Sequence, residues 1–345
     1  MFQESFLRSI GSSVVWKGLD RVAGLLKHII IAAAVGLSAQ LDVFYMVTAL
    51  LGVLVFSWAS LMDVVAVPSM VRAWKEGRKE DFGQIASGLF VITIMASLFL
   101  GASLYFFRDE LAMVAVGFEP NRKKLLAEAI PWLLPVVFLY VPLRLMSAIL
   151  RALRQFAPAY KSEFSIALIV LVCVSLFKYD PHVLLWSFSL GVVGAFFYLF
   201  SKTWKYVISF ENPFSAVVRQ SLILAPGLLV LQGAQYVYVL TERIFVSFMP
   251  TGAVSALAFA MTLTTLLPSI VALSGSFITI IAASPDAKAR SSKLNDLISM
   301  AILMGLGATC LMLSAREPLV DLLLKRGAFT VENAQSVAST MKDSV

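Results

Sequence analysis

Residues 13–31 read SVVWKGLDRVAGLLKHIII, and residues 228–246 read LLVLQGAQYVYVLTERIFV. Both are apolar over most of their length, and polar side chains interrupt them at the same intervals. Lys17, Asp20, Arg21, Lys27 and His28 have counterparts 215 residues further on in Gln232, Gln235, Tyr236, Glu242 and Arg243. The same gapless overlay pairs Val15 with Val230, Gly18 with Gly233, Val22 with Val237, Leu25 with Leu240 and Ile29 with Ile244. At about 100° per residue, the five polar positions of the first stretch share an arc of about 120° with Gly24 near its centre. Val, Leu and Ile fill the opposite face. The repeat predicts two related helix bundles whose first helices face each other across a polar space.

The surrounding chain supports a membrane setting for both stretches. Of its 345 residues 59% are apolar and 14% charged, with a mean hydropathy of +0.85. A soluble domain carries about a quarter charged residues. Apolar runs of about 20 residues, the length that crosses a bilayer core of about 30 Å, recur along nearly the whole sequence. This excludes a soluble enzyme, a nucleic-acid module and a disordered protein. In lipid every backbone N–H and C=O must be paired internally, and the alternation of strands is absent, so the fold is all-α and polytopic. Hydropathy places nine transmembrane helices near 7–36, 43–71, 83–107, 125–150, 157–177, 183–201, 216–248, 253–284 and 294–315. Pro131, Pro135 and Pro142 in the fourth, Pro226 in the seventh and Pro268 in the eighth predict kinks and freed carbonyls.

The net charge of +7 is mostly loop charge. With the N-terminus cytoplasmic, the inside segments hold Arg8, Arg72, Lys75, Arg78, Lys79, Arg151, Arg154, Lys161, Lys202, Lys205, Arg219, Lys288, Arg290 and Lys293. The outside segments hold fewer: Arg108, Arg122, Lys123, Lys124, Lys178, Arg316, Lys325 and Arg326. The bias favours a cytoplasmic N-terminus, although the 108–124 loop breaks the pattern. The N-terminal stretch carries charges through its first apolar run and does not read as a removable signal peptide.

No 20-residue window of 7–36 avoids all the charges of the first helix. A charge at the bilayer centre costs a few kcal/mol or more, so the arc is expected to face protein or a water-filled cavity. The competing readings are structural. Lys17 with Asp20 or Arg21 would form an ion pair near the interface, its stem snorkelling, and Glu242 and Arg243 would lie near the opposite interface. Asp42 opens the second helix as a cap or interface residue, and Asp63 reads as interfacial. Cys173 and Cys310 sit in apolar runs, and with only His28 and His182 there is no metal spacing. No Walker-type loop appears, so any driving force is an ion gradient or the membrane potential rather than bound nucleotide. No cofactor and no enzymatic chemistry are expected.

Five segments carry a family resemblance. DRVAGLLKHIIIAAAVGLSAQLDVFY (20–45) resembles the opening of the MurJ/MviN-type lipid II flippases of the MOP exporter superfamily. GFEPNRKKLLAEAIPWLLP (117–135), SAILRALRQFAPA (147–159), TERIFVSFMPTGAVSALAFA (241–260) and LLLKRGAFTVENA (322–334) follow in the family's order and spacing. The resemblance implies a multi-pass protein of the bacterial inner membrane with its N-terminus cytoplasmic. It implies two bundles around a cationic cavity, and alternating access that carries a lipid-linked, pyrophosphate-bearing saccharide to the outer leaflet. Arg21 matches a family cavity arginine, Lys27 stands where a second arginine is usual, and Asp42 matches a family Asp. The expected substrate-binding set is Arg21, Lys27, Lys17, Asp20, His28, Asp42, Gln235, Tyr236, Glu242 and Arg243. Partners are the lipid-linked substrate, membrane lipids and envelope-synthesis enzymes, with no nucleic acid.

The sequence departs from the family at two cavity positions and in length. The second helix reads LLGVLVFSWASLMD (50–63) where the family carries paired arginines, and the eighth reads FAMTL (259–263) where an Asp-Arg pair is usual. The expected organisation is a six-helix bundle over 1–205, a partial three-helix bundle over 206–315, and a loop with the start of a truncated helix over 316–345. The competing functions are a polysaccharide or multidrug exporter of the same superfamily, which the missing arginines favour, and a non-transporting scaffold for envelope synthesis.

Overall fold

The computed structural model describes residues 2–177, 180, 182–208, 215–223, 225–271 and 287–344. Thirteen helices follow one another among them, and no strand occurs among the described residues. They are α1 (Phe2–Val35), α2 (Ala39–Lys75), α3 (Lys79–Phe106), α4 (Arg108–Ala112), α5 (Pro120–Trp132), α6 (Leu134–Ala152) and α7 (Phe156–Leu176). Then come α8 (Val183–Val207), α9 (Ala216–Ser221), α10 (Ala225–Val246), α11 (Ala253–Val271), α12 (Ala287–Leu323) and α13 (Val331–Ser344). Helices α2, α3, α6, α7 and α8 are long and apolar enough to cross a membrane. The charged arc keeps α1 out of that set.

The first bundle is built by α1 against α7, α7 against α8, and α6 against α3 and α8. Its core is aliphatic: Leu145, Met146, Ile149 and Leu150 of α6 are fully buried. The faces turned away from it expose Phe99, Phe106 and Phe197, as a lipid-facing surface requires. The second bundle begins with α10 laid along α2 and α11 along α2 and α13. The amphipathic run near the C-terminus forms α13, which buries Ala334, Val337, Ala338 and Met341 against α11 and α12.

Two expected spans are each split into two helices. The fourth divides at Leu133 into α5 and α6. Pro135 has no N–H to offer the carbonyl four residues back, and its ring clashes there, so the helix restarts with Pro135 in its first turn. Pro142 is instead accommodated inside α6. The seventh span divides into α9 and α10 just ahead of Pro226. Pro268 lies in α11, and the expected span beyond residue 271 falls outside the described residues.

Helix α2 is a continuous rod with two π-helical turns, Gly52–Phe56 and Met62–Ala66. Each adds a residue to a turn and rotates the faces that follow. The first brings Gly52 against α10, where a Cβ would stand 2.9 Å from the Tyr236 ring. The second presents Asp63 to α6. Ser38 starts the rod by accepting the Leu41 N–H at 3.3 Å. Just before it, Gly36 ends α1 at φ +63, a left-handed conformation in which a Cβ would also lie 2.7 Å from the Ala328 carbonyl oxygen.

Candidate functional site: a cationic cavity between the two bundles

A cavity of about 380 Å³ opens between α1, α2, α7, α8, α10 and α11. Its polar wall consists of Lys27 and His28 from α1, Tyr45 and Thr48 from α2, Arg243 from α10 and Thr262 from α11. Phe44, Phe56, Phe188 and Met261 supply much of the apolar remainder. Helix geometry explains the grouping. Lys27 and His28 are consecutive at one level of α1, about 100° apart but both within the polar arc, while Tyr45 and Thr48 are three apart on one face of α2.

The wall is held by a short chain of polar contacts. The Arg243 guanidinium donates to the Tyr45 carbonyl oxygen and, at 3.4 Å, to Thr48 Oγ1. It also stands 5.6 Å over the Tyr45 ring. The Tyr45 hydroxyl meets His28 Nδ1 at 3.3 Å. Phe259 of α11 packs edge-on against both His28 and Tyr45. Arg243 Nε is buried without a hydrogen-bond partner. Among the described residues, neither Lys27 nor Arg243 makes an ion pair with a carboxylate. Two cations at membrane depth without direct counterions favour an anion in the cavity.

The ten expected site residues separate into groups. Lys27, His28 and Arg243 reach the cavity together, and His28 and Arg243 are counterparts in the 215-residue register. Tyr236 packs on Gly52 instead. Arg21 and Gln235 are exposed, and Lys17 and Asp20 are half-buried; none of the four lines this cavity. Glu242 is half-buried outside the wall, with Oε2 enclosed and unpaired.

Asp42 has a different place. It is fully buried away from the cavity and binds the second bundle. Its Oδ2 accepts the Gly252 N–H at 2.7 Å, and its Oδ1 accepts the Ser255 N–H at 2.8 Å and the Ser255 hydroxyl. A carboxylate from α2 thus caps α11, where free N–H groups and the helix dipole favour negative charge. The buried Arg122 of α5 stands 3.7 Å from the same carboxylate. Gly252 takes φ +97 to present its N–H, and a Cβ there would crowd Leu37 at 2.9 Å. Two further bonds join the bundles at this end: Gly117 N–H to Ser247 Oγ at 3.1 Å and Ala328 N–H to the Ala33 carbonyl at 2.8 Å.

A second ionic cluster joins α2, α6 and α7. Arg144 bonds both Asp63 and Glu163, and Arg151 bonds the other Asp63 oxygen. Asp63 is therefore one corner of an interhelical network and not merely an interfacial residue. Arg144 and Glu163 were absent from the expected set. The signal was present in Arg144, an arginine inside LYVPLRLMSAIL (139–150) that belongs to no loop.

Sequence comparison identifies the family. A family model described as lipid II flippase MurJ matches residues 31–343. The chain belongs to the MurJ lipid II flippase family. A probable lipid II flippase MurJ from Buchnera aphidicola subsp. Baizongia pistaciae (strain Bp) is 23% identical over 348 residues, spanning 94% of this chain and 67% of that protein. Among solved structures, a lipid II flippase MurJ in an inward closed conformation superposes with a TM-score of 0.77 at 18% identity, covering 95% of this chain and 70% of that one. An outward-facing multidrug resistance MATE transporter of the MOP superfamily gives 0.70 at 13% identity, with 98% and 77% covered. The fold is therefore that of MurJ and MATE transporters, and the chain is a multi-pass protein of the bacterial inner membrane. MurJ proteins are flippases, not enzymes.

Proposed function

We propose that this MurJ-family chain flips a lipid-linked, pyrophosphate-bearing saccharide of the lipid II class by alternating access, and that the cavity between the bundles receives the pyrophosphate. The observation that carries this reading is the pair Lys27 and Arg243. One cation comes from the first helix of each bundle, and among the described residues neither contacts a carboxylate. A doubly anionic group spanning the cavity would satisfy both and draw the bundles together on it. Family membership points to the same class of substrate. Arg243 is held by the Tyr45 carbonyl and Thr48, so its guanidinium is ordered before substrate arrives.

The test is transport by Arg243→Ala, measured as flipping of a fluorescent polyprenyl pyrophosphate saccharide in proteoliposomes. Loss of one charge-assisted contact of roughly 1.5–3 kcal/mol predicts binding weaker by about 10- to 150-fold. Arg243→Lys should restore part of it, because charge survives but the fork does not. Arg21→Ala, outside the cavity wall, should have the smaller effect on binding. Wild-type flipping by Arg243→Ala at normal expression would remove the cavity from the mechanism.

The charge bias also supports a cytoplasmic placement for the 72–79 loop and an external placement for the Asp42 end. A cysteine at the exposed Lys75 should resist an impermeant thiol reagent added to intact cells, and one at the exposed Glu119 should react. Labelling at Lys75 alone would invert the topology.

A further inference from the structure

A second pocket, of about 490 Å³, lies at the Asp42 end of the first bundle and takes no part in the central cavity. Its walls include Arg108, Asp109, Lys124, Glu128, Trp132 and His182. Its depth follows from the spans it adjoins. Helix α3 ends at Phe106, α6 begins at Leu134 and α8 begins at Val183, each within two residues of a wall residue. The pocket therefore sits where three hydrophobic segments meet the headgroup layer. Exposed Tyr105, Phe106 and Phe107 adjoin Arg108 on the lipid side, as aromatic side chains do at an interface.

The chemistry of the walls is balanced. Two cations and two carboxylates converge, with Lys124 and Glu128 3.9 Å apart. Arg108 lies 5.3 Å over the Tyr105 ring. The rings of Trp132 and His182 are nearly parallel, 17° apart in tilt with centroids 5.5 Å apart. His182 is fixed by its backbone N–H, which donates to Asp180 at 2.8 Å, while the other Asp180 oxygen accepts Trp186 Nε1 at 2.7 Å. An anionic ligand would satisfy Arg108 and Lys124 but meet repulsion from Asp109 and Glu128. A ligand with a phosphate and a nearby ammonium satisfies all four, and the exposed Trp132 face offers the ammonium a cation–π surface.

We propose that this pocket binds the headgroup of a zwitterionic aminophospholipid. The phosphate is held by Arg108 and Lys124 and the primary ammonium by Asp109 and Glu128, with the acyl chains against the aromatic end of α3. A primary ammonium donates hydrogen bonds to the carboxylates, whereas a choline headgroup has no N–H to donate.

The experiment is lipid retention by the purified protein, followed by native mass spectrometry with phosphatidylethanolamine, phosphatidylcholine and phosphatidylglycerol of identical acyl chains. The expected result is about ten-fold stronger retention of phosphatidylethanolamine than of either other lipid, the scale of one charge-assisted hydrogen bond. Asp109→Asn with Glu128→Gln should abolish that preference, and Arg108→Ala with Lys124→Ala should lower retention of phosphatidylethanolamine itself. Asp109, Lys124 and Glu128 are exposed and Arg108 is half-buried, so these variants should insert and fold normally, which thermal unfolding checks. Equal retention of the three lipids, a preference for phosphatidylglycerol, or a preference that survives both double variants would overturn the assignment.

Discussion

Asp42→Ala is expected to open the end of the molecule at which the two bundles meet. The substitution removes the acceptor for two backbone N–H groups and one hydroxyl of the second bundle, and leaves Arg122 buried without its counterion. Hydrogen bonds to a charged group are worth about 1.5–3 kcal/mol each when made, and they act together here. A loss of about 3–5 kcal/mol from the closed arrangement is the expected scale, enough to shift a two-state balance by more than about a hundred-fold. Asp42→Asn should do less harm, because an amide oxygen can still accept from Ser255 while its nitrogen cannot accept from Gly252. Cysteines at Ala33 and Ala328, whose backbones bond at 2.8 Å across the bundles, report the change. Their crosslinking yield should fall sharply in Asp42→Ala. An unchanged yield would show that the latch does not hold this end closed.

Arg144→Ala should damage the first bundle itself. Arg144 bridges Asp63 and Glu163, and its removal leaves Glu163 without its partner and Asp63 with Arg151 alone. Stripping one partner from a fully buried pair costs about 3–5 kcal/mol. The side chains here keep 20%, 25% and 34% of their surface, so water recovers part of that loss and about 2–3 kcal/mol is the expected destabilisation. Thermal unfolding in detergent should show a clearly lowered midpoint. Arg144→Met with Glu163→Gln, which removes charge from both sides and leaves Asp63 paired with Arg151, should recover much of it. A single variant as stable as the parent would mean that solvent already carries these charges.

The spans were legible because bilayer thickness fixes their length and lipid forbids unpaired backbone, so α2, α3, α7 and α8 lie close to where hydropathy places them. The break at Leu133 was not, because both halves are apolar and a window average runs straight across them. Within the polar arc of α1, angle alone could not separate Lys27 from Arg21. Six residues of helix put them about 9 Å apart along the axis, and only Lys27 and His28 lie at the level of Arg243. The sequence placed Asp42 as a cap of the helix it opens, but Ser38 caps that helix, and Asp42 caps one that begins 211 residues later. No local pattern encodes that pairing. Glu163 was hidden in the same way, since its partner lies on a different helix.

The central claim is that Lys27 and Arg243 meet one pyrophosphate from opposite bundles. A double-mutant cycle on binding tests it most directly, with Lys27→Ala, Arg243→Ala and the pair titrated with a short-chain polyprenyl pyrophosphate saccharide. Two residues engaging one ligand group from facing walls should be coupled, with the two losses failing to add by about 0.5–3 kcal/mol. The same cycle with an uncharged polyprenyl saccharide should show no coupling. Losses that add within about 0.3–0.5 kcal/mol for the pyrophosphate ligand, or single variants that bind it as tightly as the parent, would contradict a shared site between the bundles.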